Sequence, residues 1–250
     1  MKRSYGGKPK KQHKRRLSAA AVIFLASVCF LILTALVSKV LPKNGASDPA
    51  RPFEIPAYPG DGTLFIEING NAPYFTEEEL GAEVFERYSP LDELGRCGPA
   101  TACLGLETMP DAERGPIGAV RPSGWHTVRY DDLIEDRYLY NRCHLIAYML
   151  SGENDNERNL ITGTRQLNKA GMLPFELETA DYILETGRHV LYRVTPVFEG
   201  RNLVASGVLI EARSVEDHGR GLCFCVYVFN VQPGIEIDYR TGDSRRAAPP

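Results

Sequence analysis

The sequence predicts an α+β fold, mainly antiparallel sheet, preceded by one apolar N-terminal helix. Three observations carry that prediction. The last third holds three strong strand segments, "HVLYRVTPVF", "LVASGVLIEARSV" and "GLCFCVYVFNVQPG", separated by Gly-bearing turns. One segment, "PFELETADYILETG", has the apolar spacing of a helix, with Pro174 at its start and Gly187 at its end. Strands and helices do not alternate regularly, which argues against a parallel α/β sheet.

The elements follow in chain order. Residues 1–16, "MKRSYGGKPKKQHKRR", hold eight Lys or Arg and no acid. Residues 17–38 then carry no charge. As a helix they would reach roughly 33 Å, against a hydrocarbon core of about 30 Å. The basic flank predicts a cytoplasmic N-terminus, a single-pass anchor in the cell membrane and an extracellular remainder. A cleavable signal peptide is the rival reading, but its apolar core runs to about 7–15 residues, shorter than this one. Residues 39–60 are rich in Pro, Gly, Ala and Ser and read as a linker, leaving 61–245 as the domain. There, "TLFIEING" reads as a strand closed by Asn-Gly. "TEEELGAEVF" places Glu79 three residues after Thr76, a capping box that predicts a short helix. Residues 97–125 read as loop, and "YNRCHLIA", from Tyr140, as a strand.

Charge and cysteine content narrow the function. Residues 1–46 contain 10 of the 29 Lys and Arg and none of the 32 acids. The remainder therefore has 19 bases against 32 acids, a net charge of −13. That excludes a broad basic nucleic-acid surface, so any polyanion must be met by a local cluster or a metal ion. Five cysteines follow the apolar run, an odd count for an exported domain. Cys97 and Cys103 are close enough to be a candidate disulfide. Cys223 and Cys225 share one strand face and are expected to be buried thiols. No CxxC spacing supports a zinc site.

In a strand, Arg142 and His144 share one face and Cys143 points to the other. A Cys143–His144 nucleophilic pair is thereby disfavoured. Downstream, "GENDNERNLITGTRQLNKAGMLPFE" offers Asn159, Asn168 and Glu176 as oxygen donors, the ligand type that magnesium prefers. Phosphodiester hydrolysis needs a base, a cation on the phosphate and oxygen ligands for a metal, and these residues meet that list. Composition alone does not assign the role, because a His in an apolar strand is ordinarily a satisfied core residue. Trp125 is expected to pack, His189 to be structural and His218 to sit in an exposed turn.

The stretch "YNRCHLIAYMLSGENDNERNLITGTRQLNKAGMLPFE" resembles the DNA/RNA non-specific endonuclease family, the ββα-metal nucleases. The family's Asp-Arg-Gly-His motif is followed by Asn-Leu-(Ile/Val)-Thr-x-Thr and by a second Asn nine residues after the first. Arg142, His144, Asn159 and Asn168 fall on those positions, and Glu176 on the acidic one. "RPSGWHTVRYD" and "FNVQPGIEIDYRTGDS" extend the likeness to residues 61–244. The resemblance implies a ββα-metal motif and a magnesium-dependent endonuclease, with manganese as a substitute, giving 5′-phosphate products from DNA and, as an open question, RNA. It implies His144 as general base, Asn168 as the magnesium ligand and Glu176 as holder of the metal's waters. It implies Asn159 as a hydrogen-bonding scaffold and Arg142 on the phosphate. Arg121 is a weaker second phosphate contact. Two departures stand out: Asn141 replaces the motif's Asp, and Cys143 its Gly. A catalytically inactive nucleic-acid-binding module on the same fold and a membrane-anchored cysteine transpeptidase are the alternatives.

Overall fold

Alternating β-branched and aromatic residues in the C-terminal third build the middle of a six-stranded sheet. A computed structural model describes residues 54, 57–76, 78–80 and 83–248. The basic tail, the apolar run and most of the linker lie outside the described residues. Among the described residues, no helix is long and apolar enough to cross a membrane. The strands are β1 (Phe65–Glu67), β2 (Phe85–Tyr88), β3 (Ala100–Leu104), β4 (Tyr140–His144), β5 (Leu160–Thr164), β6 (Val190–Val197), β7 (Gly207–Ser214), β8 (Cys223–Phe229), β9 (Ile235–Ile237) and β10 (Ser244–Arg246). The main sheet has the order β1-β8-β7-β6-β3-β2, and every pairing is antiparallel. β4 pairs with β5, and β9 with β10, as separate two-stranded ribbons. The helices are α1 (Tyr148–Ser151) and α2 (Leu173–Thr186).

Strand periodicity divides the sheet's residues between two faces. Tyr192, Val194, Ile210, Ala212, Val226 and Val228 join Phe175, Ala180 and Ile183 of α2 in one buried cluster. On the alternate positions Arg193 pairs with the buried Glu211 at 2.7 Å and with Glu79 at 2.9 Å. The Tyr74 amide also donates to Glu211, at 2.7 Å, so Tyr74 and Glu79 are both tied to that face. Helix α2 begins with Pro174 and ends at Gly187, whose φ of 64° is the left-handed cap that a Gly adopts without strain.

The β4–β5 ribbon is tied to the main sheet by a buried amide. Asn230 Oδ1 accepts from the Thr164 amide at 2.8 Å, and its Nδ2 donates to the carbonyls of Ala205 (2.9 Å) and Thr162 (3.2 Å). Thr164 Oγ1 donates to the Val231 carbonyl and accepts from the Leu167 amide. There a π-helical turn, Leu167–Met172, leads into α2. Within the ribbon, Cys143 points to the core side and fills the space left by Gly163. A Cβ at 163 would collide with Cys143 Sγ.

Several expectations are corrected. Residues 97–125 are not all loop, because β3 lies within them. Its "ATACL" is short and mostly buried, so no polar alternation marks it. Similarly "LITGT", within the stretch singled out only for its oxygen donors, is a fully buried strand. The Thr76–Glu79 capping-box bonds form, at 2.8 and 3.3 Å, yet residues 78–80 make a turn and no helix. Cys97 and Cys103 are both free thiols. Cys97 Sγ lies 3.3 Å from the carbonyls of Glu157 and Leu160. Cys225 is buried as expected, whereas Cys223 is exposed.

His189 is structural, as expected. Its Nδ1 meets Glu216 at 2.5 Å, and its Nε2 lies 3.6 Å from Glu107. The hydrogen bond to Glu216 raises the His189 pKa above its ordinary 6.5. Burial pushes Glu216 upward, but the bond from His189 and backbone donors outweigh it and hold Glu216 below 4.5. The raised His pKa gives stability that is complete below pH 6.5 and lost as pH rises through the folded value. The depressed Glu pKa gives stability lost as pH falls through its folded value. The contact is therefore complete between about pH 4.5 and 6.5. His189→Gln should lower Tm by about 1–3 °C more at pH 6 than at pH 9, measured by thermal unfolding. An equal loss at both values would contradict this account.

Gly163→Ala should cost about 1–3 kcal/mol in urea unfolding, the range for overpacking. In the Cys143→Gly background the cost should shrink, with a coupling of about 1 kcal/mol between the two sites. Simple additivity would mean that the collision is not the cause.

Candidate active site

Strand β4 presents Tyr140, Arg142 and His144 on one face, along a cleft of about 820 Å³. The same cleft is lined by Asn168, from the π-helical turn, and Glu176, from the first turn of α2. Residues far apart in sequence meet here because β5 returns antiparallel to β4, placing Leu160 across from His144, and the chain then turns directly into α2.

His144 is 7% exposed and its protonation pattern is set by its neighbours. Nε2 lies 2.8 Å from the Asn154 carbonyl, which can only accept, so Nε2 carries the hydrogen. Nδ1 carries the lone pair and accepts a hydrogen bond from Arg114 Nη2 at 3.2 Å. Burial lowers the His144 pKa from 6.5. The Asn154 carbonyl opposes that shift, and the Arg114 charge adds to it. The imidazole is thus neutral near pH 7 with its basic nitrogen beside the cleft.

The other expected site residues divide by role. Asn159 is fully buried and does not line the cleft. Its side chain bonds both backbone groups of Ile146, each at 2.9 Å, and its carbonyl accepts from the Leu145 amide. It therefore fixes the chain just after His144, as a scaffold. Asn168 is half-buried in the cleft wall, and its side chain makes no hydrogen bond among the described residues. Burial pushes the Glu176 carboxyl up to about 7, against the pull of Arg114 and Lys169. Arg142 donates through Nε to the Val120 carbonyl (2.6 Å) and through Nη2 to Gly118 (3.0 Å), and stacks 4.0 Å from the Trp125 ring centroid. Arg121 is exposed on the cleft rim and donates to the Gly118 carbonyl at 2.8 Å. Trp125 packs, as expected, and forms cleft wall under Arg142.

Asn168 and Glu176 fit a hard divalent cation. Both offer oxygen, and the Asn168 amide is unengaged. A single amide ligand with water in most other positions suits magnesium. Among the described residues, no group of three His, Cys, Asp or Glu could hold a metal, so the zinc alternative has no ligand set there. Cys143 is wholly buried and points away from His144. Burial drives its thiol pKa far upward, so it is no nucleophile.

Sequence reasoning missed two contributors. Arg114 is exposed in a loop 30 residues before His144, and nothing in its spacing marks it. Asn154 acts through its backbone carbonyl, which no side-chain pattern can reveal. With Arg121, Arg142, Arg165 and Lys169, Arg114 makes the local cationic cluster that the acidic chain required.

Comparison with known proteins places the chain in a family. A family profile described as DNA/RNA non-specific endonuclease matches residues 76–216. A deoxyribonuclease from Streptococcus dysgalactiae subsp. equisimilis is 32% identical over 110 residues. That alignment spans 42% of this chain and 32% of the relative's own length. The fold is similar to NucA from Streptococcus agalactiae with magnesium bound, with TM-score 0.66 and 24% identity over 74% of this chain and 89% of that one. It is also similar to the Sda1 nuclease with bound zinc, with TM-score 0.56 and 28% identity over 65% of this chain and 82% of that one. With the profile spanning more than half of its length, the chain belongs to the DNA/RNA non-specific endonuclease family.

Proposed function

We propose that this protein is a magnesium-dependent endonuclease that hydrolyses phosphodiester bonds of DNA, and of RNA, without reading sequence, and leaves 5′-phosphates. One observation carries the reading. A buried neutral His144 has Nε2 locked on a carbonyl and Nδ1 beside a cluster of cations, in the same cleft as Asn168 and Glu176.

Arg114 Nη2 leaves Nδ1 for the phosphate, His144 Nδ1 then takes a proton from water, and the hydroxide attacks phosphorus. The P–O bond to the 3′-oxygen breaks, the phosphate stays on the 5′ side, and the departing 3′-oxygen takes up a proton from solvent. Arg114 neutralises charge that builds on the phosphate oxygens. Arg142 holds the 118–125 loop through two nitrogens and keeps Nη1 for a phosphate oxygen. Asn159 holds the strand end, so His144 keeps its direction. Asn168 would bind magnesium, or manganese in its place, and Glu176 would orient the water around it. When bound, the cation supplies Lewis-acid stabilisation of charge on the phosphate and the leaving oxygen. Contacts to phosphate carry no sequence information, so cleavage is non-specific. The basic tail and apolar run support a cell-membrane anchor with this domain outside the cell.

Purified protein should cut plasmid with magnesium. It should lose activity in EDTA and fall by at least about 100-fold on His144→Ala, the scale of general-base loss. Intact plasmid in every lane, from folded protein, would favour the inactive binding module. The acidic limb of the kcat/KM profile should have its midpoint below pH 6.5, because burial disfavours the imidazolium. A midpoint above 6.5 in Glu176→Gln, which lacks the carboxyl pushed up to about 7, would remove His144 as the neutral base.

A further inference from the structure

Tyr138 takes no part in the chemistry above. Its ring is 47% exposed and stands in the wall of the same cleft. It lies six residues before His144 and two before the start of β4, so the two side chains are at most roughly 20 Å apart along the backbone. The ring is held from behind. Arg129 bridges to Tyr138 in antiparallel fashion, and its guanidinium lies 5.5 Å from the ring centroid. Asp131 fixes that guanidinium through two hydrogen bonds, at 2.8 and 3.1 Å. The turn between them, with Arg137 at φ 70°, is closed by the Tyr130 amide on the Arg137 carbonyl and the Leu139 amide on the Val128 carbonyl. Ring and cation are therefore ordered before any ligand arrives.

An exposed aromatic ring in a cationic cleft suits a ligand with both phosphates and flat apolar faces. A nucleic-acid strand has both. In a duplex the base faces are already stacked on one another, whereas an unpaired base offers its face. A guanidinium behind the ring draws electron density from it and favours stacking against an electron-rich base.

We propose that Tyr138, backed by Arg129, is a stacking platform for an unpaired base a few nucleotides from the scissile phosphate. On this basis the cleft takes locally single-stranded nucleic acid in preference to intact duplex. The proposal rests on the nuclease reading for its substrate, but its test does not depend on cleavage.

Binding is measured by fluorescence anisotropy on the full chain carrying His144→Ala, with single-stranded and duplex oligonucleotides. Adding Tyr138→Leu should weaken single-strand binding by about tenfold, within the span for loss of one base–aromatic stack, and leave duplex binding within twofold. Tyr138→Phe should bind like the parent. A series of single strands with one abasic site moved along the chain locates the platform. At one or two positions the abasic strand should bind tenfold more weakly to the parent, and Tyr138→Leu should add nothing further. A 2-aminopurine at that position should be quenched on binding by the parent and not by Tyr138→Leu. The idea is overturned if Tyr138→Leu weakens every abasic strand equally, or weakens duplex as much as single strand. Failure of the wild-type protein to cut plasmid would instead remove the nuclease reading and leave the stacking result readable.

Discussion

The buried side chain of Asn230 is the constraint on which the site depends. It stands where β8 leaves the main sheet and satisfies three backbone groups that would otherwise be buried unpaired. Leaving such groups unpaired costs on the order of 1–3 kcal/mol each, so the β4–β5 ribbon has one favourable seat against the sheet. Asn159 repeats the device one layer further in, closing on both backbone groups of Ile146. Two fixed amides thus set where β4 ends, and the end of β4 is where His144 projects. His144 is oriented by main-chain geometry before any substrate is present, which on the proposed reading is the condition for proton-transfer catalysis without reorganisation.

Burial then sets the electrostatics. The same exclusion of water that lowers the His144 pKa raises that of Glu176. Both groups therefore favour their neutral forms in a cleft whose walls carry positive charge. Outside the cleft the domain is acidic. A polyanion is repelled from most of the surface and drawn to one groove, which directs it to the catalytic strand.

The main sheet was legible in the sequence because β6, β7 and β8 are long and patterned. Helix α2 was legible because Pro174 and Gly187 mark its ends. β3 and β5 were not, since "ATACL" and "LITGT" are short and lie almost wholly inside, so neither alternation nor helical spacing survives. His144, Asn168 and Glu176 were found as a set through motif spacing, and the fold brings them to one cleft. Arg142 is there too, yet two of its nitrogens are already committed to loop carbonyls, a division of labour that spacing cannot express. Arg114 and the Asn154 carbonyl were invisible for the same reason: each reaches His144 only after the loops close.

The two departures from the family motif have structural counterparts in this chain. Cys143 occupies a position where the motif has Gly, and the added volume is met by Gly163 across the ribbon, which has no side chain to oppose it. Asn141 lacks the charge of the motif's Asp. It still accepts a hydrogen bond from Arg165 Nη1 at 3.2 Å, while the other guanidinium nitrogen is paired with Asp136. In this chain the carboxylate partner of Arg165 stands in the neighbouring turn, at Asp136. Because Asp136 is a surface residue two positions from Tyr138, the carboxylate that holds Arg165 also borders the proposed stacking ring. A strand-borne Asp would fix Arg165 deep in the cleft. A turn-borne one ties its charge to the rim, so movement of the 131–137 turn would alter phosphate contact and base stacking together.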